Sequence, residues 1–132
     1  MGSDVQDRTY HGLPDTDEQG GQRIVVEEFG GGPTKRQRAE ILYELENQRG
    51  YYGPHAFWWG YQGTNPHDTA IAILTDALGK RPTREMEHAF VEDVVAHLCT
   101  EWLMNRRMIL RWARGWCIEH SVGPLSVSDA LK

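Results

Sequence analysis

The segment 57–79 constrains the fold more than any other part of the chain. Asn65 and Pro66 suit the N-cap and the first position of a helix, and Asp68 would place a carboxylate in its first turn. Apolar residues then follow at helical spacing, and Gly79 stands where a left-handed residue ends a helix of this length. We therefore predict a helix from Asn65 to Gly79.

The loop before this helix combines aromatic residues with glycines. Its members and the helix start form a predicted structural motif: Trp59, Gly60, Tyr61, Gly63, Asn65 and Pro66. We predict that both rings are buried and that the glycines let the backbone turn tightly beneath them. An anion site at the helix start is the alternative, but the loop has no phosphate-loop pattern and no nearby lysine.

The N-terminal half is predicted to contain a hairpin and one helix. Two β-prone runs, 8–12 and 22–27, are separated by a polar stretch that suits a turn. A helix from Thr34 to Gly50 is predicted next, with its apolar residues at helical spacing. These apolar residues are Ile41, Leu42 and Leu45.

The C-terminal region is predicted to be one long helix. Thr83 suits its N-cap, no proline follows before about His120, and Asn105 is the place where the helix would break. The alternating spacing of a heptad seam runs through Val91, Val95, Leu98, Trp102, Asn105, Ile109, Trp112 and Trp116. A second apolar stripe leaves most of the circumference apolar, which predicts burial on more than one side: against a partner or a second copy, or against the earlier helices of the same chain.

Arginines accompany the apolar residues of this helix. The predicted partner-binding residues are Trp102, Arg106, Arg107, Ile109, Arg111, Trp112, Arg114 and Trp116. A basic edge with aromatic residues is also a surface that holds nucleic acid, and this is the alternative. A solvated face, or pairing of the arginines with acidic residues of the same chain, remains open.

No pattern in the chain indicates catalysis, a cofactor or a metal. No nucleophile motif is present, so a non-enzyme is expected, although a site built from distant residues leaves no signature. His88 with Glu92, and Asp93 with His97, have the spacing of ligands on one helical face. The two histidines would point about 180° apart on one helix, so we expect no metal and no cofactor.

Composition and length predict one intracellular domain. The chain has 132 residues and a formal net charge of −5, without a signal peptide or a long apolar run. Cys99 and Cys117 make no disulfide framework, which suits a reducing cytoplasm. The predicted fold is α+β: a short N-terminal β-hairpin, a predominantly helical body and a long C-terminal helix. We place the domain at 8–120, with tails at 1–7 and 121–132.

The run from Trp59 to Pro66 resembles a small domain family of unknown function from bacteria and their phages. Members carry Trp-Gly-Tyr-x-Gly-[Ser/Thr]-x-Pro, open with a Tyr-x-Gly strand that Tyr10 and Gly12 match, and place a tryptophan as Trp102 does. The resemblance spans about residues 8–102. It implies the fold and a mobile-element origin, but no activity.

This resemblance leads to an expected function. We expect a non-catalytic binding protein that acts on a host protein through its C-terminal helix, for example by inhibiting a defence or regulatory complex. A small nucleic-acid-binding accessory protein is the alternative.

Overall fold

A computed structural model describes residues 8–14, 22–30, 38–48 and 57–120. The predicted tails at 1–7 and 121–132 lie outside these residues. The described elements follow in the order β1 (Arg8–Leu13), β2 (Arg23–Gly30), β3 (Arg38–Glu44), α1 (Thr64–Leu78), α2 (Arg84–Asp93), a 3-10 turn (Val95–His97), β4 (Trp102–Asn105) and α3 (Arg106–Glu119). The α+β class is confirmed.

The strands form one antiparallel sheet with the order β3-β2-β1-β4. The predicted N-terminal hairpin is confirmed, because β1 and β2 pair from Arg8 opposite Glu28 to Leu13 opposite Arg23. On its other edge β1 pairs with β4, so that Gly12 lies opposite Trp102. The C-terminal part of the chain therefore completes the sheet beside its first described strand.

The helix predicted from Thr34 to Gly50 is wrong within the described residues, because Arg38–Glu44 is strand β3. Its pairing with β2 shifts register: Tyr43 lies opposite Val26 and Ile41 opposite Glu27, which leaves Leu42 as an extra residue. Such a bulge interrupts the two-residue alternation of a strand. Apolar residues on both sides of the bulge consequently acquire a spacing that resembles a helix.

Helix α1 ends as predicted and begins slightly earlier. Gly79 adopts φ +80° and its N–H donates to Thr75 O at 2.9 Å, which is the left-handed end that favours glycine. The N-cap is Gly63 rather than Asn65, and it makes no side-chain capping bond.

Asp68 lies beyond the first turn of α1 and is buried. Its Oδ2 accepts a hydrogen bond from Asn47 Nδ2 at 3.2 Å. The predicted role of Asp68 at the helix dipole is therefore replaced by a contact with the residues that follow β3.

The continuous helix predicted from Thr83 to His120 is wrong. Thr83 does cap a helix, since its Oγ1 accepts from Met86 N at 3.2 Å, but α2 ends at Asp93. A 3-10 turn and strand β4 follow, and α3 begins after Asn105, whose Oδ1 accepts from Met108 N at 2.8 Å. The predicted C-terminal helix exists as Arg106–Glu119, and the expected breakpoint is its N-cap.

The core lies between the helices and the sheet face that carries Tyr10. Tyr10, Ile24, Val26 and most of α1 are buried there, together with the inward side chains of β4 and α3. The indole of Trp102 lies directly over Gly12, where an added Cβ would be 2.2 Å from ring atoms. The ring of Trp102 also meets Trp59 edge to face at 5.4 Å. Gly12 is thus required by close packing of a neighbouring strand.

Candidate functional site

The outward side of α3 carries a mixed basic and apolar surface, which we call the arginine face. It consists of Arg107, Met108, Arg111, Arg114 and Ile118, all of them exposed. At 100° per residue the three arginines lie within about 60° of one another around the helix axis. Met108 is 56% exposed and Ile118 is 70% exposed, so apolar area accompanies the charge.

The other predicted partner-binding residues have positions inside the protein. Those that belong to the core are Trp102, Ile109 and Trp116, with exposures of 7%, 1% and 8%. They contact the sheet and the other helices, because the chain folds back at β4 instead of continuing as one helix. The apolar circumference of the helix is therefore not left uncovered, as the prediction of one long helix implied. These three side chains contact other parts of their own chain and not a partner.

Trp112 and Arg106 are partly covered and make internal bonds. The ring of Trp112 meets Phe90 at 4.9 Å between centroids, and its Nε1 donates to Asp93 Oδ2 at 3.0 Å. Arg106 Nε donates to Ala77 O at 2.9 Å, near the C-terminal end of α1. These two side chains hold α3 against α2 and α1, whereas Arg107, Arg111 and Arg114 remain directed outward.

Gly115 leaves one position of α3 without a side chain. An added Cβ there would meet no atom within 4 Å, so the packing of the protein does not require glycine. A glycine inside a helix lowers stability by about 0.5–1 kcal/mol relative to alanine. The position lies between Arg111 and Met108 around the axis, and it allows another molecule to approach the helix backbone closely.

The predicted aromatic loop is only partly buried. Trp59 is 5% exposed and its Nε1 donates to Thr100 O at 3.3 Å, as its predicted burial requires. Tyr61 is 44% exposed, so the predicted burial of this ring is wrong. Gly60 has φ +89° and donates its N–H to Val95 O at 2.9 Å, which confirms a glycine-dependent turn. Pro66 is buried and Asn65 half-buried in the first turn of α1.

A polar cluster that the sequence analysis missed connects α1 and α2. Glu87 is 2% exposed; its Oε1 lies 3.0 Å from His67 Nε2, and its Oε2 accepts from Arg81 Nε at 3.1 Å. The ring of His88 lies 4.5 Å from that of His67. The sequence did contain one signal for this cluster. His67 and Glu87 each occupy the apolar face of their helix, where an ionisable residue must have partners.

A second cluster attaches the sheet to α1. The hydroxyls of Tyr10 and Tyr43 donate to the carboxylate of Asp76 at 2.5 and 2.7 Å, and Arg8 lies 3.8 Å from the same group. Burial, followed by the charge and hydrogen bond of Asp76, raises the pKa of Tyr10. Burial and then the same carboxylate raise the pKa of Tyr43 to about 12.

The opposite face of the sheet carries a histidine between two carboxylates. His11 Nδ1 lies 3.1 Å from Glu27 Oε2, and its Nε2 lies 2.5 Å from Glu101 Oε2. Burial lowers the pKa of His11, but the hydrogen bonds and charges of the two carboxylates outweigh burial and raise that pKa. This cluster joins β1 to β2 and to the residues before β4.

Within the described ranges no group of three or more histidine, cysteine, aspartate or glutamate side chains is placed to hold a metal ion. Cys99 is exposed, Cys117 is buried, and both are free thiols. Among the helices of the described part, none is long and apolar enough to cross a membrane.

Together these features define a small α+β domain in which helices cover one face of an antiparallel sheet and the last helix presents a basic outer face. The chain belongs to a family of unknown function, DUF6166, whose model matches residues 10–115. The match extends through β4 and most of α3. No curated protein and no solved structure matches the chain.

Proposed function

We propose that this is a non-catalytic binding protein that uses the arginine face of α3 to bind an acidic surface of another protein. The observation that carries the proposal is the grouping of Arg107, Arg111 and Arg114 with two exposed apolar side chains on one side of one helix. Arginine and methionine are enriched in protein interfaces, where they combine charge with contact area.

The distribution of charge supports an acidic partner. The arginines of α3 and its Glu119 give this helix a charge of +3, whereas the remainder of the chain carries −8 by subtraction from the net −5. An acidic partner is attracted to α3 and repelled by the rest of the surface. Complementary charge of this kind fixes orientation and raises the association rate.

The aromatic side chains favour a protein partner over nucleic acid. Single-stranded nucleic acid is held by exposed rings on which bases stack. On α3, Trp116 is buried, and Trp112 already contacts Phe90 and Asp93. Exposed Met108 and Ile118 instead offer the apolar contact that a protein surface uses.

A host protein is the partner that the resemblance to bacterial and phage domains favours, and inhibition of a defence or regulatory complex is one form this binding would take. A mobile-element origin and a cytoplasmic location belong to the same proposal. The free thiols of Cys99 and Cys117 fit a reducing compartment.

The test compares matched variants of the arginine face. Proteins captured from a bacterial lysate by the wild type are purified, and their affinities are measured for the wild type, Arg111→Glu/Arg114→Glu, and Met108→Ser/Ile118→Ser. Lys80→Glu is the control, because Lys80 is exposed and lies outside α3. We expect each double variant to weaken binding about tenfold or more, equivalent to about 1.4 kcal/mol, with the control unchanged.

Three results would contradict the proposal. The first is binding that the control weakens as much as the arginine variant does. The second is binding to DNA or RNA that falls steeply with salt and is insensitive to Met108→Ser/Ile118→Ser, which would support the nucleic-acid alternative. The third is a concentration-dependent dimer in light scattering that the same substitutions dissociate, which would make a second copy the partner.

A further inference from the structure

A cleft opens between the start of α1 and helix α2. It has a volume of about 400 Å³ and its polar lining consists of Gln62, Thr64, His67, Arg84, His88 and Glu92. A second cleft of about 420 Å³ shares His67 and Arg84 with the first and continues to Arg81 and Glu87. Each volume lies in the range of sites that hold small molecules.

The buried carboxylate of Glu87 fixes one wall of this cleft. A buried charge is costly unless hydrogen bonds and opposite charge surround it, and both oxygens of Glu87 are used, one by His67 and one by Arg81. A bond from Nε2 to a carboxylate places the ring proton on Nε2. The ring of His67 is therefore held in one orientation and one tautomer, with Nδ1 as its remaining polar atom.

Two imidazoles lie side by side at this wall. The rings of His67 and His88 are 4.5 Å apart and tilted by 40°, and Arg84 lines the same cleft from the start of α2. The Arg84 guanidinium and the N–H of His88 are hydrogen-bond donors that suit an anion in the cleft. The acidic side chains here are Glu87, already bonded to His67 and Arg81, and Glu92 on the α2 side.

We infer that this cleft binds a small phosphate monoester, with Arg84 and His88 donating to the phosphate oxygens and the ring of His67 forming part of the wall. A guanidinium matches a phosphate in both charge and hydrogen-bond geometry, and the N–H of an imidazole adds a further donor. The volume exceeds that of phosphate alone, so the ligand carries a further group. The exposed ring of Tyr61 does not line the cleft but lies beside Gly63, which does, and we expect this ring to contact that group.

This site is separate from the arginine face and its test uses different probes. Binding of inorganic phosphate, adenosine monophosphate and adenosine is measured by calorimetry, and the histidine side chains are followed by NMR. We expect the monophosphate to bind more tightly than phosphate, adenosine to bind weakly, and the signals of His67 and His88 to shift.

Substitutions test which residues bind the phosphate monoester. We expect Arg84→Gln and His88→Gln each to weaken binding of the monophosphate about tenfold, and Tyr61→Ala to weaken the monophosphate but not phosphate. Arg84 and His88 are exposed, so both variants should fold. Arg111→Gln removes the same charge outside the cleft and should leave the affinity unchanged.

The inference is overturned if neither phosphate probe binds at millimolar concentration. It is also overturned if Arg111→Gln weakens binding as much as Arg84→Gln, because binding would then be unspecific attraction to positive charge. Binding of Zn²⁺ that shifts the same histidine signals while phosphate does not would make the cleft a metal site instead. None of these results depends on partner binding by α3, so failure here and failure of the proposed function are distinguishable.

Discussion

Two carboxylates, the half-buried Asp76 and the buried Glu87, attach different parts of the protein to the helical layer and do so with different donors. Asp76 accepts from Tyr10 and Tyr43, and so joins the sheet to α1. Glu87 is bonded by His67 and Arg81, and so joins α2 to the start of α1.

The two carboxylates differ in the chemistry of the side chains that donate to them. The phenols at Asp76 keep their protons at any physiological pH, since both pKa values are raised, and their bonds end within the structure. His67, bonded to Glu87, instead borders an open cleft together with Arg84 and His88. Asp76 and Tyr43 also line a cleft, of about 470 Å³, but they are bonded to each other there, whereas Glu87 positions an imidazole that can meet a ligand.

The largest effect is expected from Gly12→Ala, which should disturb the sheet and its contact with Asp76 but not the cluster around Glu87. The new Cβ would lie 2.2 Å from the indole of Trp102, so β1, which also carries Tyr10, must shift. We expect a loss of about 3 kcal/mol in the free energy of unfolding, at the upper end for overpacking. Gly115→Ala is the control and should gain about 0.5 kcal/mol or more. Equal denaturation midpoints for the two variants would refute the close packing of β1 against β4.

The next effect concerns Asp76→Asn. Two phenols lose a charged acceptor, and we expect a loss of about 2 kcal/mol in unfolding free energy. The pKa of Tyr43 should fall from about 12 toward its ordinary value of about 10, because burial remains while the carboxylate charge is gone. Ultraviolet titration, with Tyr43→Phe to assign the step, measures this change. An unaltered Tyr43 titration would show that Asp76 does not act on it.

Glu87→Gln should destabilise the protein less than Asp76→Asn does, but it should weaken ligand binding at the cleft. Arg81 is 54% exposed and returns to water, so we expect a loss of only about 1 kcal/mol instead of the 3–5 typical of a broken buried pair. The amide holds the His67 ring less firmly than the carboxylate does, so binding of adenosine monophosphate should weaken about threefold. Tighter binding would mean that removing the negative charge outweighs positioning, and would contradict the role given to Glu87.

The smallest effect is expected at His11, where the partner Glu101 is 56% exposed and screened by water. The pKa of His11 is raised, so its pairs with Glu27 and Glu101 stabilise fully below its ordinary pKa of about 6.5. This stabilisation disappears as the pH rises through the raised value. Denaturation midpoints measured across this range should fall, and His11→Gln should flatten the profile. A profile that stays equally steep in the variant would assign the pH dependence to another group.

Local signals predicted the elements whose ends are specified by single residues. Gly79 ends α1 through its left-handed conformation, and Thr83 caps α2 through its hydroxyl, so each boundary follows from one residue type. The hairpin followed similarly from β-prone runs around a polar stretch. Such features depend on neighbours a few positions away, which a sequence displays directly.

Periodicity failed where two patterns overlapped. In β4, Trp102 and Met104 are buried while Leu103 is exposed, and this short alternation is hidden inside an apparently continuous heptad spacing. In β3 the bulge at Leu42 disguised the strand as a helix. Both strands depend on pairing with distant residues, and that information is absent from local spacing.

The two sites were predictable to different degrees. The outward arginines of α3 were named from the sequence, but the tryptophans beside them belong to the core. The His67 and Glu87 cluster joins residues 20 positions apart on two helices, so no motif displays it. Only the fold brings these side chains together.

The pairing of β1 with β4 also has a consequence for synthesis. Trp102 covers Gly12 from 90 positions further along the chain, so β1 has an open edge until nearly the whole domain has left the ribosome. Contacts between such distant residues form slowly, and an open edge can pair with another chain in the meantime. We expect nascent chains that end before β4 to need protection by a chaperone. Once Trp102 has emerged and β4 has paired with β1, the chains should no longer need it.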